Sequence, residues 1–300
     1  MFYAILIIML VYEKVSFGSE CNNRCVTCPS VRQQETPHLN ELVAQVDALK
    51  NGENLELFGG EPTLHEDLLS LISYARRKGA RRIKLVTNGR RLADESFLLS
   101  LVEEGCRIFD IKLYGSRPET HDAVTRVRGS LDEMLQGLQN LGGVSDSGGH
   151  EGDIYTGIRF GVTNTNLEDL VPAVAFLMSF SIDSISFVRM GGDFPIVQAA
   201  RMVANAMKVA TLNRIWSMCE GFPPCVMKGS ETHLSELLQP VAFENDKPKS
   251  CLRCVFAKIC TGPHGDYAGK GLRDFKAVSA SPYSKDMEYL LKMRSIHAKQ

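Results

Sequence analysis

Short apolar or β-branched runs alternate with longer amphipathic stretches through the first 190 residues, and this alternation limits the fold more than any other feature. Strands are predicted at Lys14–Phe17, Asn54–Phe58, Arg82–Val86, Ile108–Leu113, Ile154–Val162 and Ser184–Val188. Helical periodicity lies between them, at Leu39–Lys50, Leu64–Arg77, Glu95–Glu104, Leu131–Leu141 and Leu167–Phe180. Gly79, Gly105 and Gly142 stand just past three of these helices, where a left-handed C-cap is wanted. Strands separated by helices pair in parallel through right-handed crossovers, which makes the class α/β. Six such units are fewer than the eight of a closed barrel. An open, partial (βα)6 TIM-type barrel fits the count, and a doubly wound sheet shares the same periodicity. The glycine-rich segment Gly142–Gly152 reads as an exposed loop.

After Gly191 the alternation stops. A long helical stretch, about Ile196 to Met218, leads into a tail rich in Pro and Cys. The expected organisation is therefore a barrel over 1–190, then a helical linker and a small C-terminal domain over 191–300. At the other end, Met1–Val11 is apolar without a charge, yet lacks the basic start and cleavage pattern of a signal peptide. It is also shorter than the about 20 apolar residues that span a bilayer. A buried first strand, or an ill-fitting start of the coding sequence, is expected there. No membrane association is expected, and the location read from these features is cytoplasmic.

Lys and Arg number 34 against 35 Asp and Glu, a net charge of -1, so nothing here attracts nucleic acid. Nine cysteines are many for a cytoplasmic chain, where clustered thiols point to metal or redox chemistry before disulfides. Seven fall into two groups: Cys21, Cys25 and Cys28, then Cys225, Cys251, Cys254 and Cys260.

The first group, Cys21-Asn-Asn-Arg-Cys25-Val-Thr-Cys28, follows the first strand with spacing C-x3-C-x2-C. Three thiolates on one tight loop can hold three irons of a 4Fe–4S cubane and leave the fourth iron open to a ligand, whereas electron-transfer clusters use four cysteines. A zinc site with a distant fourth ligand remains the alternative. Gly59-Gly60-Glu61-Pro62 closes the second strand, where glycines allow close backbone approach and Glu61 offers an anionic acceptor. Thr87-Asn88-Gly89 ends the third strand. All three segments lie at C-terminal strand ends, where barrel folds place their active sites.

Together these segments resemble the signature of the radical S-adenosylmethionine (SAM) superfamily. The resemblance implies that Cys21, Cys25 and Cys28 hold a 4Fe–4S cluster and that Gly59, Gly60, Glu61 and Pro62 take the amino group of SAM. It puts Thr87 and Asn88 beside SAM as well. Lys112 stands on the fourth strand where many members have a ribose-contacting serine, and Arg126 or Arg128 could pair with the SAM carboxylate. His121 is expected to be structural.

In the tail, Cys251-Leu-Arg-Cys254 and Cys260-Thr-Gly262 give C-x2-C-x5-C. With Cys225 upstream, four thiols suffice for a complete 4Fe–4S or zinc site. Gly262 and Tyr267 extend a resemblance to twitch or SPASM-type domains, which implies a second, auxiliary 4Fe–4S cluster. His233 or His264 could replace Cys225 as the fourth ligand. The reaction implied is oxidoreductive: reductive cleavage of SAM to a 5′-deoxyadenosyl radical that takes hydrogen from a substrate. That substrate is read first as a peptide undergoing maturation, with a small molecule or cofactor precursor as the alternative. An electron donor such as flavodoxin or ferredoxin is implied. From another class comes a non-catalytic iron–sulfur electron-transfer or scaffold protein. No side chain identifies itself as acid, base or hydrogen donor.

Overall fold

A computed structural model describes residues 12–26, 28, 35–48, 54–147, 154–191, 195–238, 247–257, 260, 262 and 275–281. The segment 1–11, His264 and Tyr267 lie outside the described residues. Seven strands form one open parallel sheet in sequential order: β1 (Tyr12–Ser16), β2 (Asn54–Phe58), β3 (Arg82–Thr87), β4 (Ile108–Leu113), β5 (Tyr155–Val162), β6 (Ser184–Arg189) and β7 (Trp216–Glu220). This is the sheet of a partial TIM-type barrel, as the alternation implied.

Alternation of side chains along each strand gives the sheet two unlike faces. Leu55 and Leu57 of β2, Ile83 and Leu85 of β3, and Phe109, Ile111 and Leu113 of β4 are all buried. Helices α1 (Leu39–Asp47), α2 (Leu68–Arg77) and α3 (Glu95–Glu103) each bury an apolar stripe, for α2 Leu68, Leu71, Ile72 and Ala75. The intervening strand positions are charged. Lys14, Glu56 and Lys84 are register neighbours across β1, β2 and β3. Lys84 Nζ lies 2.5 Å from Glu56, and its ammonium sits 3.9 Å from the centroid of the Tyr12 ring. Burial opposes ionisation of Glu56, but Lys84 and Arg159 hold its carboxyl below the ordinary range.

The chain divides into two compact units. One takes the described residues of 10–160 with Ala175–Ser184, and the other Gly161–Val174 with the described residues from Ile185 onward. In the first unit, α4 (Pro118–Thr125) and α5 (Ser130–Ser147) follow β4. In the second, α7 (Ile196–Leu212) precedes β7; α6 (Leu170–Leu177), after β5, gives Leu170–Val174 to the second unit and its last turn to the first.

Three expectations need correction. The helix expected from Ile196 to Met218 ends at Leu212, and Arg214 adopts a left-handed φ of 62° that turns the chain into β7. The alternation therefore continues past Gly191, and the strands number seven rather than six. The loop expected at Gly142–Gly152 is helical to Ser147, so Gly142 lies inside α5 instead of capping it. A Cβ at Gly142 would meet only Ser181 at 3.8 Å or more, and one at Gly143 would meet nothing within 4 Å. Neither position needs glycine. Gly79 and Gly105, by contrast, do take left-handed φ of 100° and 109° just past their helices.

Candidate active site and thiol centres

The segment Cys21–Cys28 is a loop with little regular structure, so its shape depends on bonds to its neighbours. Arg24 N–H donates to the Thr125 carbonyl (2.8 Å) and Val26 N–H to that of Val124 (2.9 Å), laying the loop along the C-terminus of α4. The Arg90 guanidinium donates to the Asn22 carbonyl (2.6 Å) and to Asn23 Oδ1 (3.0 Å). Asn88 Nδ2 donates to Asn22 Oδ1 (2.6 Å) and lies 3.9 Å from Cys21 Sγ. Glu133 fixes Arg90 from behind through a 2.7 Å ion pair. Three elements thus hold one loop.

Gly59 and Gly60 explain how β2 can end against this loop. Both have positive φ, and a Cβ at Gly60 would lie 2.1 Å from the Glu20 carbonyl oxygen. That same carbonyl accepts the Glu61 N–H at 2.7 Å. Glu61 is 2 % exposed and caps the short turn Pro62–Leu64. Its Oε1 accepts from Thr63 N (3.2 Å), Thr63 Oγ1 (2.7 Å) and Thr87 Oγ1 (2.5 Å), and its Oε2 accepts from Asn88 N (2.7 Å). These four bonds make the carboxylate a brace between the ends of β2 and β3, a role that the sequence reading did not contain.

Cys21 and Cys25 are half-buried and Cys28 is exposed; none of the three is in a disulfide. Burial raises the Cys21 and Cys25 thiols above the ordinary cysteine range. Glu61 and Lys112 act on Cys21 in opposite senses, and the Tyr114 hydroxyl bonds Cys25. Lys112 is half-buried on β4, two residues from Asp110 on the same face. Arg126 is exposed, at the left-handed C-cap of α4 beside Thr125, and Arg128 is exposed nearby. The structure therefore gathers Cys21, Cys25, Gly59–Pro62, Thr87, Asn88 and Lys112 around one loop, with Arg126 next to the backbone that holds it.

His121 is 2 % exposed, and its Nδ1 accepts the Tyr114 N–H at 3.3 Å. Burial pushes its pKa down to about 4. An unfolded histidine gains its proton near pH 6.5, whereas the folded one resists until about 4. Stability is therefore full above about pH 6.5 and falls as pH drops towards 4, by about 2 kcal/mol between pH 7 and pH 5. Urea midpoints of the iron-free protein at those two pH values check this; in His121→Asn, which keeps an acceptor, that share of the loss is expected to vanish.

In the other unit, Cys225, Cys251, Cys254 and Cys260 line one cavity together with Lys247 and Lys276. Gly262 N–H donates to Cys260 Sγ (3.3 Å) and Val278 N–H to Cys254 Sγ (3.4 Å). Burial and the other three thiols push Cys225 up to about 12. His233 is absent from the cavity lining and lies instead against the Trp216 ring, centroids 5.9 Å apart. Among the described residues no three Cys, His, Asp or Glu side chains gather as ligands of a single ion. The four thiols line one space without converging on a single point. Cys106 and Cys219 are buried elsewhere, and burial pushes Cys106 to about 12.

Sequence reasoning gave no role to Arg90 or Asn22. Arg90 follows directly on Thr87-Asn88-Gly89, and Asn22 sits inside the cysteine spacing, so their positions carried the only signal.

A family profile described as Radical SAM superfamily matches residues 15–177. The chain belongs to the radical SAM superfamily. A radical SAM protein uses a 4Fe–4S cluster and SAM, and the described residues of this one offer three cysteines outside any disulfide on one loop for such a cluster. Among curated relatives, an Fe-coproporphyrin III synthase of Methanosarcina barkeri is 34% identical over 165 residues, 53% of this chain and 38% of that protein. A probable GTP 3′,8-cyclase of Metallosphaera sedula is 27% identical over 183 residues, 59% of this chain and 55% of that protein. The chain thus spans about half or less of the length of these relatives. The solved structure of native anSMEcpe with bound AdoMet and Kp18Cys peptide covers 94% of this chain and 96% of its own, with TM-score 0.60 and 13% identity, a likeness of fold. Among the described residues, no helix is long and apolar enough to cross a membrane.

Proposed function

We propose that this radical SAM chain cleaves SAM reductively and uses the product to take hydrogen from a small organic substrate. The observation that carries the reading is the strapping of the Cys21–Cys28 loop to the ends of β2 and β3 by Glu20, Asn88 and Arg90. Cys21, Cys25 and Cys28 would hold three irons. Gly59–Pro62 with Thr87 and Asn88 would receive the amino end of SAM, Lys112 its ribose side and Arg126 its carboxylate. When bound, the cluster and SAM supply a 5′-deoxyadenosyl radical able to attack an unactivated C–H bond. Cys225, Cys251, Cys254 and Cys260 would hold an auxiliary 4Fe–4S cluster, supported by their common cavity. A catalytic barrel followed by an auxiliary-cluster domain belongs to the same reading, with the boundary after β7 rather than near residue 190, because that strand belongs to the one sheet.

The relatives named as synthase and cyclase favour a small molecule or cofactor precursor over a peptide, because the peptide-bound neighbour shares only the fold at 13% identity. A flavodoxin- or ferredoxin-class donor would supply the electron. A scaffold would need no braced Gly59–Pro62 loop. Anaerobic reconstitution followed by dithionite and SAM tests the proposal: 5′-deoxyadenosine is expected to accumulate slowly even without substrate. Reconstituted protein that binds iron and yields no 5′-deoxyadenosine overturns it.

A further inference from the structure

The two thiol groups sit in unlike electrostatic settings. Beside Cys21 the negative Glu61 and the positive Lys112 oppose one another. Arg90, which reaches the same loop, is matched by Glu133. Among the described residues that line the cavity of Cys225, Cys251, Cys254 and Cys260, the charged side chains are Lys247 and Lys276, and none is a carboxylate. Lys247 is half-buried, and its Nζ donates to the Ala257 carbonyl at 3.0 Å, which fixes the ammonium in place. Its field acts on Cys251 and Cys260. Backbone N–H groups point at Cys254 and Cys260, as the Asn23 N–H does at Cys21 (3.3 Å), so the lysines are what set the two sites apart.

A cluster bound by four thiolates gains one negative charge on reduction. Fixed cations and N–H···S bonds favour that state, and net charge with hydrogen bonding to sulfur is what sets cluster potentials. We infer that Lys247, with Lys276 at the rim, raises the midpoint potential of the auxiliary cluster above that of the cluster at Cys21, Cys25 and Cys28. The auxiliary site is then where a single electron from a flavodoxin- or ferredoxin-class donor comes to rest; no bond changes in this step. The inference rests on the reading that both thiol groups bind 4Fe–4S clusters.

The test begins with the full chain carrying Cys21→Ala, Cys25→Ala and Cys28→Ala, so that the auxiliary cluster alone is titrated anaerobically and followed by electron paramagnetic resonance. Lys247→Gln removes the charge but keeps a donor for the Ala257 carbonyl. At a fixed poise its ratio of reduced to oxidised cluster is expected to fall about tenfold, which is ~59 mV for one electron. Lys247→Arg keeps the charge and should stay near the parent. Lys276→Gln should shift less, because Lys276 is exposed and screened by salt. In the unsubstituted holoprotein the auxiliary signal should appear first during reduction.

Iron retained with an unmoved midpoint in Lys247→Gln overturns the lysine assignment alone. Appearance of the SAM-side signal first overturns the order of potentials. A triple-cysteine variant that binds no iron overturns the auxiliary-cluster reading and this inference with it.

Discussion

Replacing Cys21, Cys25 and Cys28 together with alanine is expected to reduce 5′-deoxyadenosine formation to background while halving the iron, from about eight to about four per chain. The reasoning is one of separate sites. The three thiols of the first loop take no part in the cavity lined by Cys225, Cys251, Cys254 and Cys260. Removing the first set therefore deletes the electron path to SAM and leaves the second set able to hold its metal. The loop itself keeps its backbone bonds to Thr125 and Val124, and Glu20 just before it keeps the Glu61 N–H; none of these involves sulfur, so the variant should fold. Iron analysis and chromatographic detection of 5′-deoxyadenosine are the measurements. Cleavage of SAM at the parent rate by the triple variant would defeat the assignment of this loop.

Substitution of Glu61 carries the next largest effect, and it separates bracing from ligand contact. The carboxylate accepts from Thr63 N, Thr63 Oγ1, Thr87 Oγ1 and Asn88 N. The Thr63 hydroxyl can turn to another acceptor, but the two backbone N–H groups and the Thr87 hydroxyl are buried and would lose theirs. A stranded buried donor costs roughly 1–3 kcal/mol. Glu61→Ala should therefore destabilise the metal-free, ligand-free protein by about 3 kcal/mol or more, in urea unfolding. SAM affinity should fall more than tenfold, because Asn88 and the Pro62–Leu64 turn lose their common anchor. Glu61→Gln keeps one acceptor oxygen but turns an amide N–H2 towards a donor, so it should lie between. An alanine variant with unchanged stability and weakened SAM binding would mean that Glu61 meets the ligand and braces nothing.

Local pattern carried much of the fold. Asn54–Phe58 and Ile108–Leu113 were legible to the residue, because each is a short apolar run between turn signals. Trp216–Glu220 was not, since its buried middle, Ser217 to Cys219, shows neither strand nor helix period and it follows a true helix closely. Gly142 and Gly143 misled for a related reason: glycine marks a turn only where φ must be positive, and α5 passes through both with ordinary helical backbone.

The site divides in the same way. Cysteine spacing and the glycines of the Gly59–Pro62 turn are local and could be read directly. Glu61's bond to Thr87 spans 26 residues and Arg90's to Asn22 spans 68, and no local period encodes such pairs. Cys225, grouped with Cys251, Cys254 and Cys260 by its position in the sequence, shares their cavity and follows Gly221 (φ 80°) and the Pro223-Pro224 turn.

The bonds that shape the Cys21–Cys28 loop run through backbone carbonyls, Asn22, Asn23, Asn88 and Arg90, and Cys21 Sγ is only a weak acceptor among them. The ordering cost of assembling a metal site is thus borne by the polypeptide before iron arrives, unlike a zinc finger, where metal binding and folding are one event. Oxygen damage that strips iron from such a loop is expected to leave the socket standing. A molecule disarmed in air should be recoverable by supplying iron and sulfide, without passing through the unfolded state.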